Sequence, residues 1–114
     1  MPQYMILLYD NPADWQKVSP EEMQKAIEKY RAWTQKPFTK ASLRLSADPG
    51  RVIRPGQSRA ADGPFIESKE VLGGYYIIEA ASYDDAVQIA MDHPHLEYGG
   101  TLEIRKAWEP GDMG

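Results

Sequence analysis

At 114 residues with no cysteine, the chain has room for one domain with its own core, spanning residues 1–114, and it excludes disulfides, thiolate catalysis and cysteine-ligated metals. Thirteen basic against 17 acidic side chains leave a formal net charge of −4, which argues against a nucleic-acid partner. No apolar run approaches membrane-spanning length, and a cysteine-free domain fits a reducing compartment, so the expected setting is cytoplasmic with no membrane partner.

The chain opens on a strand over residues 3–9, apolar on both faces and therefore covered on both. Asn11-Pro12-Ala13-Asp14 breaks it. Ser19, Pro20 and Glu22 have the spacing of a capped helix start. Met23, Ala26, Ile27, Tyr30 and Trp33 then recur at three- and four-residue intervals, and Pro37 ends the pattern. Trp15 is expected to lie as a lid on the first turn.

Residues 39–46 alternate apolar and polar, as a half-exposed strand does. After the turn Asp48-Pro49-Gly50, residues 51–54 make a short strand, and the two are expected to form a hairpin-like excursion. Arg44, Arg51, Arg54 and Arg59 read as its solvated basic edges. Residues 74–80 are again apolar on both faces. A second helix is expected from Tyr83 to Asp92, capped by Ser82, burying Ala86, Val87, Ile89, Ala90 and Met91 and ended by Pro94. Residues 101–108 alternate, with Leu102 and Ile104 on one face and Glu103 and Arg105 on the other.

The order β-α-β-(β)-loop-β-α-β predicts an α+β fold, a ferredoxin-like split βαβ with a hairpin insertion. Strands 3–9 and 74–80 are its central pair. Two helices cover only one face of such a sheet, so the other face needs a partner. The expected partner is a second copy, giving a homodimer of the dimeric α+β barrel type.

Residues 62–70 read Asp62-Gly63-Pro64-Phe65-Ile66-Glu67-Ser68-Lys69-Glu70, followed by Leu72-Gly73-Gly74-Tyr75-Tyr76. With Tyr4–Tyr9, Trp15, Ser19-Pro20-Glu21-Glu22, His93–Gly100 and Glu103-Ile104-Arg105, this combination resembles the DGPF-motif proteins of the YCII-related superfamily over most of the chain. The resemblance implies a small dimeric α+β barrel. It also implies a superfamily in which a His–Asp pair occupies a dimer-interface cleft and some members act on halogenated or hydroxylated aromatics. Most DGPF proteins have no established reaction. The pair is not intact here. The first helix holds no histidine and turns Tyr30 and Trp33 inward, and His93 stands where the superfamily aspartate precedes a proline, with Asp92 one residue earlier.

The candidate acid–base residues are therefore His95, since histidine titrates near neutral pH, and Asp62, a turn aspartate on its own but a candidate within the motif. Lys69 and Glu67 of the same loop, Arg105 beside Glu103, and the hydroxyls of Tyr9 and Tyr75 are the candidate substrate-binding groups. His93 reads as a cationic residue at a helix C-terminus. His93-Pro94-His95 with Asp92 and Glu97 is a weak metal pattern, and no metal is expected from it. Gly73-Gly74 precedes a strand instead of a helix and is no phosphate loop. No cofactor is expected. Asp62→Ala is expected to lower stability and His95→Ala to spare it.

The function these residues suggest is cofactor-free acid–base chemistry, isomerase- or lyase-like, on a small organic acid or aromatic held in a cleft near the dimer interface. The alternative is a non-catalytic ligand-sensing or accessory module whose loop is purely architectural.

Overall fold

A computed structural model describes residues 1–62 and 70–112. In chain order its elements are β1 (Gln3–Asp10), α1 (Pro12–Gln16), α2 (Pro20–Thr34), β2 (Thr39–Arg44), β3 (Arg51–Val52), β4 (Ala61–Asp62), β5 (Val71–Glu79), α3 (Tyr83–Ala90), α4 (Pro94–Glu97) and β6 (Thr101–Lys106). Four strands pair antiparallel in the order β2-β5-β1-β6. The two strands that are apolar on both faces, β1 and β5, are central. This α+β arrangement is compatible with a ferredoxin-like fold.

The period of two sends Tyr4, Ile6 and Leu8 of β1 and Tyr76 and Ile78 of β5 to one face, where all are buried. Helix α2 covers that face with Ala26 and Trp33, and α3 covers it with Ala86 and Ala90. The α2 start is as expected: Pro20 is first, and the Ser19 hydroxyl accepts from the Glu22 N–H at 3.2 Å. Ser82 caps α3 in the same way through the Asp85 N–H at 3.1 Å.

Several expectations are corrected. Asn11-Pro12 does not simply break the chain. Asn11 caps the short α1, which carries Trp15. The strand at Arg51–Val52 does not form a hairpin with β2. It pairs with Ala61–Asp62 in a separate two-stranded sheet, so the insertion is β3–β4. Val87 and Met91 are 40% and 64% exposed, not buried. Helix α3 buries Ala86 and Ala90 against the sheet with Ile89 partly buried beside them, and the residue after each alanine, Val87 or Met91, is rotated about 100° away.

The Gly73-Gly74 pair has a packing reason. The β1–β5 register shifts between Leu8, opposite Gly74, and Tyr9, opposite Leu72, which leaves Gly73 in a bulge. A β-carbon on Gly73 would sit 3.3 Å from the Asp10 carboxylate, and one on Gly74 would sit 2.9 Å from the Leu43 carbonyl oxygen. The glycines let the backbone of β5 approach both neighbours closely.

The sheet face away from the helices carries Met5, Leu7, Tyr75 and Ile77, all half-buried, with Leu43 54% exposed at its edge.

Candidate functional site

A cleft of about 1090 Å³ opens between α2 and the end of the sheet where β1 and β2 finish and β5 begins, and extends along the chain after β2 to Pro49. Helix α2 supplies an apolar wall of Met23, Ala26 and Ile27, and α1 supplies Trp15. Asp10, Tyr30, Arg44 and His95 add polar groups to this lining.

Tyr30 is the hub. Its hydroxyl lies 2.6 Å from Nδ1 of His95. The other ring nitrogen, Nε2, lies 2.8 Å from the Tyr9 carbonyl oxygen. A carbonyl can only accept, so Nε2 carries the proton, Nδ1 accepts, and the Tyr30 hydroxyl donates. Burial pushes the Tyr30 hydroxyl well above its ordinary range, and the negative charge of Asp10 adds to the shift while Arg44 opposes it. Asp10 and Arg44 thus both act electrostatically on that hydroxyl. Asp10 accepts a hydrogen bond from the Trp15 indole at 2.6 Å through Oδ2.

His95 owes its position to the start of α4. His93 is the N-cap, Pro94 occupies the first turn, and Nδ1 of His93 accepts from the His95 N–H at 3.0 Å. Gly100 completes the seat, because a β-carbon there would overlap the His95 ring. His95 is 2% exposed. It is a buried, fully hydrogen-bonded side chain, so the expectation that its removal spares stability is corrected.

His93 is likewise not a cationic helix C-terminus. It is 2% exposed, with its ring centroid 4.7 Å from those of both Trp33 and Tyr76. Because Nδ1 accepts, Nε2 holds the proton, and Nε2 has no hydrogen-bond partner. Burial, reinforced by the neighbouring His95, lowers its pKa to about 4, against a weaker pull upward from Asp92. It is a neutral core imidazole. Tyr76 closes the layer by donating to the Tyr30 carbonyl at 3.1 Å, and burial pushes its own hydroxyl up to about 12.

Of the residues singled out from sequence, His95, Tyr9 and Tyr75 line the cleft. The Tyr9 hydroxyl donates to Glu103 at 3.0 Å, and desolvation with that carboxylate raises its pKa. Asp62 and Arg105 are not in the lining. Asp62 has an 87% exposed side chain on β4, 3.6 Å from Arg51. Arg105 projects from β6 on the open sheet face, where its charge acts on Tyr9. Glu67 and Lys69 lie outside the described residues. Of the weak metal pattern, Glu97 pairs with Lys29 at 2.8 Å and Asp92 accepts from the Trp33 indole at 3.3 Å.

Sequence reasoning passed over Asp10, Tyr30 and Arg44 as site residues. Asp10 read as the acid just beyond the strand over 3–9, and Arg44 as a solvated edge. Tyr30 carried the one usable signal, an inward-facing residue with a polar tip on the first long helix.

Chemically, the arrangement offers a carboxylate with one oxygen free of the indole and a phenol backed by an imidazole. A proton arriving at the Tyr30 oxygen can be matched by transfer of the phenolic proton to Nδ1 of His95. The resulting imidazolium remains held at Nε2 by the Tyr9 carbonyl.

The family model described as the YCII-related domain matches residues 2–109. An uncharacterized protein, R00369, of Rhizobium meliloti (strain 1021) is 37% identical over 76 residues, covering 64% of this chain and 55% of that protein. The chain thus spans about half the length of this curated relative. Among solved structures, 5-chloro-2-hydroxyhydroquinone dehydrochlorinase (TftG) from Burkholderia phenoliruptrix AC1100, in complex with 2,5-dihydroxybenzoquinone, superposes with a TM-score of 0.55. The superposition covers 94% of this chain and 93% of that one at 16% identity, a likeness of fold alone.

Proposed function

Because the chain belongs to the YCII-related domain family, we propose that it binds a small aromatic organic molecule in the cleft beside α2 and acts on it by cofactor-free proton transfer, in the manner of an isomerase or lyase. The observation that carries this reading is the Tyr30–His95 contact at 2.6 Å in the wall of a cleft that also holds the Asp10 carboxylate. Asp10 takes the role of general base. Tyr30 hands a proton to or from the ligand, and His95 acts through Tyr30 as a positioning and proton-holding residue. The apolar wall and Trp15 suit a flat ring. The hydroxylated quinone bound by the dehydrochlorinase of similar fold supports the ligand class.

The reading includes a homodimer, in a cytoplasmic setting. The half-buried apolar face of Met5, Leu7, Tyr75 and Ile77 matches what a two-fold partner covers. Tyr9 and Tyr75 line the cleft and also belong to strands of that face, which supports a cleft close to the dimer boundary.

A second reading, ligand binding without turnover, is favoured by one observation: both His95 ring nitrogens are already engaged. A panel of hydroxylated and halogenated aromatics, incubated in deuterium oxide and followed by proton NMR, separates the two. Deuterium incorporation or product formation that falls at least tenfold in Asp10→Asn and Tyr30→Phe supports catalysis. Saturable shifts of Trp15 and Tyr30 resonances without exchange or product support the second reading, and neither result for any compound refutes both.

A further inference from the structure

The geometry points to an anionic ligand: Arg44, assisted by Arg31, anchors a carboxylate or phenolate of the bound molecule beside the Tyr30 hydroxyl. This rests on the cleft's being the ligand site, and it assigns the ligand's charge and the residues that read it.

The cleft is lined by three carboxylates and two guanidinium groups, and they differ in one respect. Each carboxylate already has a partner. Asp10 accepts from Trp15 at 2.6 Å, Asp48 accepts from the Gly50 N–H at 2.7 Å and pairs with Arg51 at 3.5 Å, and Glu70 accepts from the Thr101 hydroxyl at 3.4 Å. Among the described residues, the guanidinium groups of Arg31 and Arg44 have neither an ion pair nor a hydrogen-bond acceptor. In the cleft each carboxylate thus has at least one hydrogen-bond donor, whereas neither guanidinium has an acceptor among the described residues.

The position of Arg44 sharpens this. In the β2–β5 register Arg44 stands opposite Gly74 and Ser42 opposite Tyr76. Tyr76 is buried on the helix-covered face, so Arg44 springs from the same side as the core and not from the open face. Its cross-strand neighbour is Gly74, where the backbones of β2 and β5 lie too close for a β-carbon. The charge of Arg44 already opposes the rise in the Tyr30 pKa. An anion on Arg44 thus lies near the phenol that would exchange its proton. Arginine suits the task because its planar fork can meet a carboxylate with two parallel hydrogen bonds and it stays charged at every working pH. Arg31 reaches the cleft from the last turn of α2.

The test uses benzoate and its neutral isostere benzamide as probes, titrated into the full chain and followed by two-dimensional NMR. Benzoate is expected to shift the Trp15 indole resonance and to bind about tenfold more tightly than benzamide. Arg44→Ala is expected to abolish that preference by weakening benzoate alone. Arg44→Lys retains part of it, and Lys40→Ala, which removes the same charge from outside the cleft, leaves it intact. Arg44 is exposed, so its loss does not threaten the fold. If both probes bind equally and Arg44→Ala changes neither, the arginine assignment is overturned and the cleft reading stands. If neither probe shifts any cleft resonance, both fall.

Discussion

His93 should make the protein acid-sensitive by an amount that can be worked out. In the unfolded chain a histidine takes up its proton near pH 6.5. In the fold, burial among Trp33, Tyr76 and Tyr30 lowers the value to about 4. A depressed histidine pKa means that the unfolded state binds the proton first. The contribution of His93 is therefore fully present above pH 6.5, is lost as pH falls from 6.5 towards 4, and levels off below that. Integrating between pH 7.5 and 4.5 gives a loss of about 2–3 kcal/mol, a large share of a small domain's stability. The assay is urea unfolding at both pH values for the wild type and for His93→Asn. Asparagine keeps an acceptor for the His95 N–H and removes the titrating ring. The variant will be weaker at pH 7.5, since it leaves a void beside Trp33. The decisive quantity is the difference between the two proteins' pH dependence, in which carboxylate contributions cancel. A variant that loses as much stability between the two pH values as the wild type refutes the buried neutral His93.

Other outcomes follow from the same geometry. Tyr30→Phe leaves the buried Nδ1 of His95 without a donor and should cost about 1–3 kcal/mol in denaturant unfolding. Gly100→Ala should displace the His95 ring, seen as a lowered melting temperature and a shifted His95 imidazole resonance. Asp62→Ala, at an exposed ion pair, should leave the melting temperature within experimental error, contrary to the expectation from its motif. Light scattering should give twice the chain mass of 12.9 kDa, and Ile77→Glu, on the open sheet face, should reduce it to one chain.

Of the motif that dominates the sequence, Asp62 at its head lies outside the cleft and Glu70 at its end lines it. Asp62 stood out because Asp-Gly-Pro is dense with local signals, but local signals report backbone geometry, and its side chain points to solvent. His95 was legible as a titratable residue. Its burial was not, because that depends on Gly100 and Tyr30 closing round it from other elements. Val87 and Met91 were misread for a similar reason. An eight-residue helix whose periodic positions are nearly all apolar does not reveal which stripe meets the sheet.

By itself the sequence determined the four strands of the larger sheet, the helices α2 and α3, and their order, but not α1, β4 or α4. Apolarity on both faces marked β1 and β5 as the central strands, and Ser19 and Ser82 marked where the helices begin, because these are properties of a residue and its near neighbours. Only the tertiary structure decided the site. Tyr30 and His95 are 65 positions apart and meet at 2.6 Å because α2 and α4 pack at the same end of the sheet. Arg44 faces the cleft because pairing with Gly74 sets its side, and a register slip of one residue would turn it to the opposite face. Such meetings come from strand register and helix packing across the whole chain, and no short window of residues encodes them.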